Sequence, residues 1–242
     1  MKIKTVSILI FAIVFLLVTG VCQAKNKHEN ESSENTKTIG VGELVQGLDF
    51  EDIDGRKGST EDYKDWIIIY SFADRKNNKA LMDWIGDAGI GVAKAHPEVK
   101  IVYISFADVT IVPYSLRYVI IPILRLINRR STEQMIETYT SKGITVDSDK
   151  LRFVMVPDWT GKYLQAFRLP NAKEYRTYVS LEGKILAIFD AQTQNIKEAY
   201  ISFFDKLIAS LQSVRSSIEP LPGAKPAASA ENSPKPGKDS PK

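Results

Sequence analysis

The sequence has 242 residues, with 32 lysines and arginines against 29 aspartates and glutamates, a formal net charge of +3 at neutral pH. A general nucleic-acid binder would carry a much larger basic excess, so no nucleic-acid partner is expected. The single cysteine, Cys22, excludes a disulfide between two cysteines of this sequence.

Residues 1–24 are predicted to be a secretory signal peptide. A start with two lysines leads into an apolar run at 6–18, and residues 22–24 fit a small-x-small cleavage site. The run is shorter than the about 20 residues that a spanning helix needs, which favours cleavage over a retained membrane anchor. Lipidation at Cys22 is a third interpretation, weakened by the bulky Val21 before it. Export predicts a place in the periplasm or cell envelope, membrane-associated if the signal is not cleaved. Cleavage would leave a chain without cysteine.

Composition divides the remainder into three parts. Residues 25–38 contain no apolar residue and are expected to form a flexible spacer. Residues 215–242 are rich in Pro, Ala, Ser and Lys and are expected to be a disordered tail. Residues 39–214, with an insertion at 109–148, are long enough to bury one core.

The elements in the middle of the chain predict a parallel βαβ unit. Trp66 to Ala73 is a continuous apolar run, as expected for a strand buried on both faces. Asn78 to Ala95 has helical apolar spacing and stops at His96-Pro97, and Val99 to Ala107 is the next strand. Strands joined by a helix of this length are expected to be parallel.

The flanking elements are predicted from turn signals and periodicity. They comprise a hairpin around Asp54-Gly55, a capping box at Ser59–Asp62, an apolar helix within Val109–Arg130, a polar helix Ser131–Ser141, a strand Leu151–Val156, a hairpin of Arg176–Leu181 with Lys184–Phe189, and a final helix from about Thr193 to Val214.

The order of several short motifs resembles that of the thioredoxin-fold redoxins. The motifs are Gly47–Phe50, Asp52, Asp54–Arg56, Asp62–Lys64, Trp66–Phe72, Val154–Asp158 with Gly161 and Phe167, Thr177–Val179 and Glu182–Lys184. This superfamily includes peroxiredoxin and alkyl hydroperoxide reductase relatives and envelope thiol oxidoreductases. The resemblance covers about residues 40–212. It implies an α/β thioredoxin-like fold with a central mixed sheet of about five strands, flanking helices, and a helical insertion after the second parallel strand.

The chain departs from this family where its thiol site would lie. After the central strand the family has its reactive cysteine, whereas this chain has a degenerate redoxin loop of Asp74, Arg75, Lys76, Asn77 and Asn78. Before the last hairpin the family has a cis-proline, and here Glu174, Tyr175 and Arg176 stand instead. Thiol redox chemistry is therefore not expected to carry over, and no catalytic residue or cofactor is predicted.

Three aspartates are candidates for a carboxylate cluster. Asp74 and Asp108 end two identical Ser-Phe-Ala-Asp tetrapeptides, and Asp158 ends the third predicted parallel strand. If these strands are neighbours, the carboxylates could hold a hard cation or form an acid/base pair. The interpretation that we favour is that they cap turns and helices, so no metal site is predicted.

The apolar segment at 109–130 is a candidate interaction surface. Its proposed residues are Leu116, Arg117, Ile120, Leu124, Arg125, Arg129 and Arg130. The arginines could reach the phosphates of a membrane surface or the carboxylates of an envelope protein. For the helix by itself, the interpretation that we favour is a long crossover helix packed on the sheet, and the interaction surface is the functional alternative. Arginines and prolines argue against a spanning helix.

Together these patterns favour an exported thioredoxin-like protein without thiol redox chemistry that acts as a binding or interaction module of the bacterial envelope. An enzymatic role is not favoured. Two alternatives remain: a non-thiol enzyme or metal-binding protein that uses the carboxylates, and a residual redoxin-type antioxidant activity.

Overall fold

The computed structural model describes residues 38–45, 47–73, 78–171 and 175–218. The predicted signal peptide, nearly all of the spacer and the tail from residue 219 lie outside these ranges. The strands are β1 Asp49–Glu51, β2 Lys57–Ser59, β3 Ile67–Ala73, β4 Ile101–Asp108, β5 Leu151–Asp158, β6 Arg176–Leu181 and β7 Lys184–Asp190. The α-helices are α1 Asn78–Ala95, α2 Arg117–Ser141, α3 Lys162–Ala166 and α4 Ile196–Ile218.

Five of these strands form one mixed sheet in the order β5-β4-β3-β6-β7. The apolar strand β3 lies at the centre, where residues 67–72 are buried, as its continuous run of Ile and aromatic residues requires. It is parallel to β4, β4 is parallel to β5, and the hairpin β6–β7 runs antiparallel beside it. The expected thioredoxin-like α/β fold is confirmed, including the insertion between β4 and β5.

Each face of the sheet has its own apolar core. On one face Tyr70, Phe72 and Phe106 pack with Phe167 beneath the β1–β2 hairpin and α3. The other face is covered by α1 and α4, whose apolar stripes include Trp84 and Tyr200. Large aromatic side chains are buried on both faces and contribute apolar area that stabilises the fold.

Local turn chemistry confirms two further expectations. The backbone N–H of Ser59 donates to Asp62 at 2.8 Å, which completes the predicted capping box ahead of a 3-10 turn at Thr60–Tyr63. The turn between β6 and β7 has positive φ at Glu182 (51°) and Gly183 (75°), as a two-residue type I′ hairpin requires.

The predicted division of the insertion into two helices was wrong. After β4 the chain makes a turn and a 3-10 turn at Tyr114–Leu116, and then a single helix, α2, runs from Arg117 to Ser141. No glycine or proline separates Arg130 from Ser131, so the backbone hydrogen bonding continues through that point. Pro122 removes one donor inside the helix, and it lies on the solvent-exposed side.

Candidate functional site

The carboxyl ends of β3, β4 and β5 lie side by side at one edge of the sheet, where ligands bind in open α/β sheets. The register pairs Ala73 with Ala107 and Asp108 with Asp158, so two of the three candidate carboxylates are neighbours. Asp74 lies outside the described residues. So do Arg75, Lys76 and Asn77 of the degenerate redoxin loop, and of Asn78 only the backbone, at the start of α1, is described.

Asp158 is committed to a structural role. This residue is only 1% exposed. One carboxylate oxygen accepts the backbone N–H of Gly161 at 2.8 Å, and the other accepts those of Tyr163 at 3.1 Å and Leu164 at 3.2 Å. The residue at the N-terminal cap of α3 is Gly161, which has no side chain to accept these bonds. Asp158 therefore supplies the helix cap from the preceding strand.

Asp108 is likewise engaged locally. One of its oxygens accepts the backbone N–H of Thr110 at 3.1 Å and the Thr110 hydroxyl at 2.8 Å. This is the turn geometry in which a short side chain holds the backbone two residues further on. Within the ranges that the structure describes, no group of three or more His, Cys, Asp or Glu side chains could hold a metal ion.

The start of β6 occupies the place where the family's cis-proline precedes the hairpin. Glu174 lies outside the described residues, while Arg176 is half-buried and in register with Phe72 and Asp190. Burial raises the pKa of the neighbouring Tyr178, and the positive charge of Arg176 opposes that rise. Arg176 thus places a cation near the end of β3.

The predicted interaction surface divides into two groups. Leu116, Arg117, Ile120 and Leu124 are half-buried, whereas Arg125, Arg129 and Arg130 are exposed. Arg125 Nε donates to the carbonyl of Ile53 at 2.8 Å and lies 3.9 Å from a carboxylate oxygen of Asp54. Arg125 therefore fastens α2 to the β1–β2 hairpin, and a groove of about 560 Å³ lies alongside this contact.

The apolar residues of the insertion that face solvent are different from those predicted. Tyr114 and Tyr118 are 83% and 75% exposed, and Val119, Leu126 and Ile127 are also exposed. The prediction from sequence left them out of the interaction surface because it chose the exposed side from the apolar residues at 109–130 alone. The signal lay in the polar half: Tyr139, the one fully buried residue of α2, defines which side faces the protein.

Arg117 contacts two aromatic rings at the carboxyl edge of the sheet. Its guanidinium carbon is 4.8 Å from the ring centre of Trp159 and 5.0 Å from that of Tyr114. Both distances are within the range of cation–π attraction. Neither ring was singled out from the sequence as part of a site.

No helix among the described residues is long and apolar enough to cross a membrane. No family model and no curated protein sequence matches the chain.

Among solved structures, the chain is similar to a SCO1/SenC family lipoprotein from Bacillus anthracis, at 12% identity over 72% of this chain and 98% of that chain, with a TM-score of 0.45. It is also similar to the peroxidoxin BcpB from Mycobacterium tuberculosis, at 14% identity over 73% and 99%, with a TM-score of 0.43. A third is the thioredoxin domain of a thiol-disulfide oxidoreductase from Bacteroides vulgatus, at 12% identity over 71% and 99%, with a TM-score of 0.41.

These likenesses concern architecture and carry nothing on activity. The strand order itself, with a βαβ unit at the centre, a third parallel strand at one edge and an antiparallel hairpin at the other, is that of the thioredoxin-like folds. The chain therefore has a thioredoxin-like α/β fold, with a helical insertion beside the edge strand β5 and with Cys22 as the only cysteine of its sequence.

Proposed function

We propose that this chain is an exported thioredoxin-like binding module that docks through α2 onto an anionic phospholipid surface of the bacterial envelope. One observation carries the proposal: α2 presents to solvent a face that is both apolar and arginine-rich. We call Tyr118, Val119, Leu126, Arg129 and Arg130 the docking face.

The charge of this segment fits an anionic surface. No aspartate or glutamate occurs between Asp108 and Glu133. The side chain of Arg129 is 70% exposed and has only a 3.9 Å contact with Glu133. In the described part of the chain Arg130 forms no hydrogen bond or ion pair. Each such cation contributes about 1 kcal/mol near an anionic membrane.

The apolar residues supply the second contribution that peripheral binding needs. Tyr118, at 75% exposure, is of the amphipathic kind that lies at membrane–water interfaces. Leu126, 39% exposed, can insert beside it, and each Å² of apolar surface that leaves water is worth about 25 cal/mol. Weak apolar and electrostatic terms together give reversible attachment, which neither would give alone.

The other functions weighed from the sequence have less support. A metal-binding or acid/base site would need a carboxylate whose oxygens are free to act, whereas the oxygens of Asp158 already accept three backbone N–H groups. Redoxin chemistry needs a thiolate, and the sequence has no cysteine beyond Cys22.

Vesicle flotation of the exported form tests the proposal. We expect the protein to float with vesicles of phosphatidylethanolamine and phosphatidylglycerol, to be released at about 0.5 M salt because charge attraction is screened, and not to float with phosphatidylcholine. Replacing Arg129 and Arg130 by Gln is expected to weaken binding by about 30-fold, from the loss of two surface cations. Replacing Leu126 by Ser should also weaken it.

The matched control is the pair Val41→Ser and Leu44→Ser. These residues are 64% and 69% exposed, and Leu44 pairs with Lys184 at the opposite edge of the sheet. Their replacement should leave flotation unchanged. Absence of flotation with anionic vesicles, or equal losses in the control and docking-face variants, would contradict the proposal.

A further inference from the structure

The guanidinium of Arg117 is held in place at the carboxyl edge of the sheet, away from the docking face. Arg117 begins α2, and Trp159 directly follows the last residue of β5. Leu126 lies nine residues after Arg117, which at about 100° per residue places it on the opposite side of the helix. The contacts with Trp159 and Tyr114 restrain the guanidinium at the edge where ligands bind in such sheets.

Among the residues that the structure describes, this arginine has no acceptor of its own. Its Nε is buried without a hydrogen-bond partner, and in the ranges that the structure describes its side chain makes no ion pair. The carboxylates that end β4 and β5 are engaged elsewhere, Asp108 with Thr110 and Asp158 with the start of α3. A guanidinium offers five donors in a fixed plane, so a restrained arginine without an acceptor is a prepared binding group.

We propose that Arg117, with Tyr114 and Trp159, binds a small organic acid whose carboxylate lies next to an aromatic or apolar group. The terminal nitrogens of Arg117 donate to the two carboxylate oxygens, and the apolar part of the ligand packs against the exposed ring of Tyr114. This site is independent of membrane docking.

The charge of the edge selects a carboxylate over a phosphate. Asp108 and Asp158 lie together at the same edge, so the local field already has two negative charges. A phosphomonoester carries between one and a half and two negative charges at neutral pH, about twice that of a carboxylate. The smaller charge is the one that a single guanidinium can balance here.

Titration by ¹H–¹⁵N NMR with N-acetylphenylalanine tests the inference. The indole N–H of Trp159 is the reporter, assigned with Trp159→Phe, and the buried Trp66 and Trp84 are internal references. We expect a saturable shift of the Trp159 signal with the acid and none with N-acetylphenylalaninamide. Arg117→Lys keeps the charge but loses the planar pair of donors, so affinity should fall about ten-fold or more; Arg117→Gln should abolish the shift.

Arg130→Lys is the matched control, an exposed arginine of the same helix, and it should bind the acid as the wild type does. Circular dichroism establishes that each variant is folded, and Tyr114→Ala, at an exposed position, tests the ring contact should Arg117→Gln fail to fold. The inference is overturned by equal shifts with acid and amide, by undiminished affinity in Arg117→Lys, or by tighter binding of phenyl phosphate than of the acid.

Discussion

Gly89 lies within α1, where a glycine is less favourable than alanine by about 1 kcal/mol. The close packing around this position explains why a glycine stands there. A Cβ at this residue would stand 2.7 Å from the hydroxyl of Tyr103 and even closer to that of Tyr139. Both hydroxyls end rigid, buried rings, so α1, α2 and the sheet approach one another here only because the side chain is absent.

Replacing Gly89 by Ala should therefore destabilise the protein in spite of the better helix propensity. We expect a loss of about 1–3 kcal/mol in the free energy of unfolding, the usual penalty for overpacking a core, measured by urea denaturation.

Gly86→Ala is the control, because the nearest atom to its added Cβ is the sulfur of Met135 at an ordinary 3.6 Å. That variant should be as stable as the wild type or gain up to about 1 kcal/mol. Equal effects of the two substitutions would show that Gly89 is not tightly packed.

At the scale of elements, α3 depends on a residue outside itself. This five-residue helix has Gly161 in the capping position with φ of 79°, and Asp158 of β5 accepts three backbone N–H groups in its place. The strand end and the helix start therefore form one unit, which positions Tyr163 and Phe167 in the core.

Asp158→Ala should leave those buried donors without an acceptor. We expect a loss of about 3 kcal/mol or more in unfolding free energy, because each unpaired buried group costs about 1–3 kcal/mol, and a smaller loss for Asp158→Asn, which keeps one oxygen.

Asp108→Ala, which removes only a local turn contact, should cost less than about 1 kcal/mol and is the matched control. Urea denaturation of the three variants measures these losses in unfolding free energy. A loss for Asp158→Ala no greater than that for Asp108→Ala would refute the capping role.

The helix α2 shows where prediction from sequence reaches its limit. Periodicity identified the apolar residues of this segment. Leu116, Ile120 and Leu124 were predicted to face solvent without regard to the polar half of the helix. Tyr139 and Met135 lie in that half next to α1, and Met135 is on the side of the helix opposite the exposed Leu126. A helix packed through a few contacts at its end is oriented by tertiary structure, which local pattern does not contain.

At the scale of the whole molecule, sequence pattern was sufficient for the individual strands and the parallel βαβ unit, and the mixed five-stranded sheet was expected from the resemblance to the redoxins. The apolar run at β3, the periodicity of α1 and the turn at Glu182-Gly183 identify these elements, and the handedness of the βαβ connection limits how they can be arranged. The contact of Arg117 with Trp159 could not be predicted in this way, because the two residues are brought together only by the pairing of β4 with β5.

The same core predicts how the molecule responds to alkali. Burial raises the pKa of Tyr70 to about 12, and it also raises the pKa of Tyr103 and Tyr200 on the other face of the sheet. In the unfolded chain these phenols ionise near pH 10. The raised pKa values therefore contribute stability to the folded state that is fully present below pH 10. This contribution is lost as the pH rises towards 12, because unfolding then releases protons.

Tyrosinate absorbance at 295 nm, followed with far-UV circular dichroism, should therefore show a late step from the buried phenols. Tyr70, Tyr103 and Tyr200 are expected to ionise only above pH 10, together with loss of secondary structure. Tyr70→Phe should reduce the amplitude of this late step. A single step near pH 10 with unchanged dichroism would mean that water reaches these phenols in the folded protein.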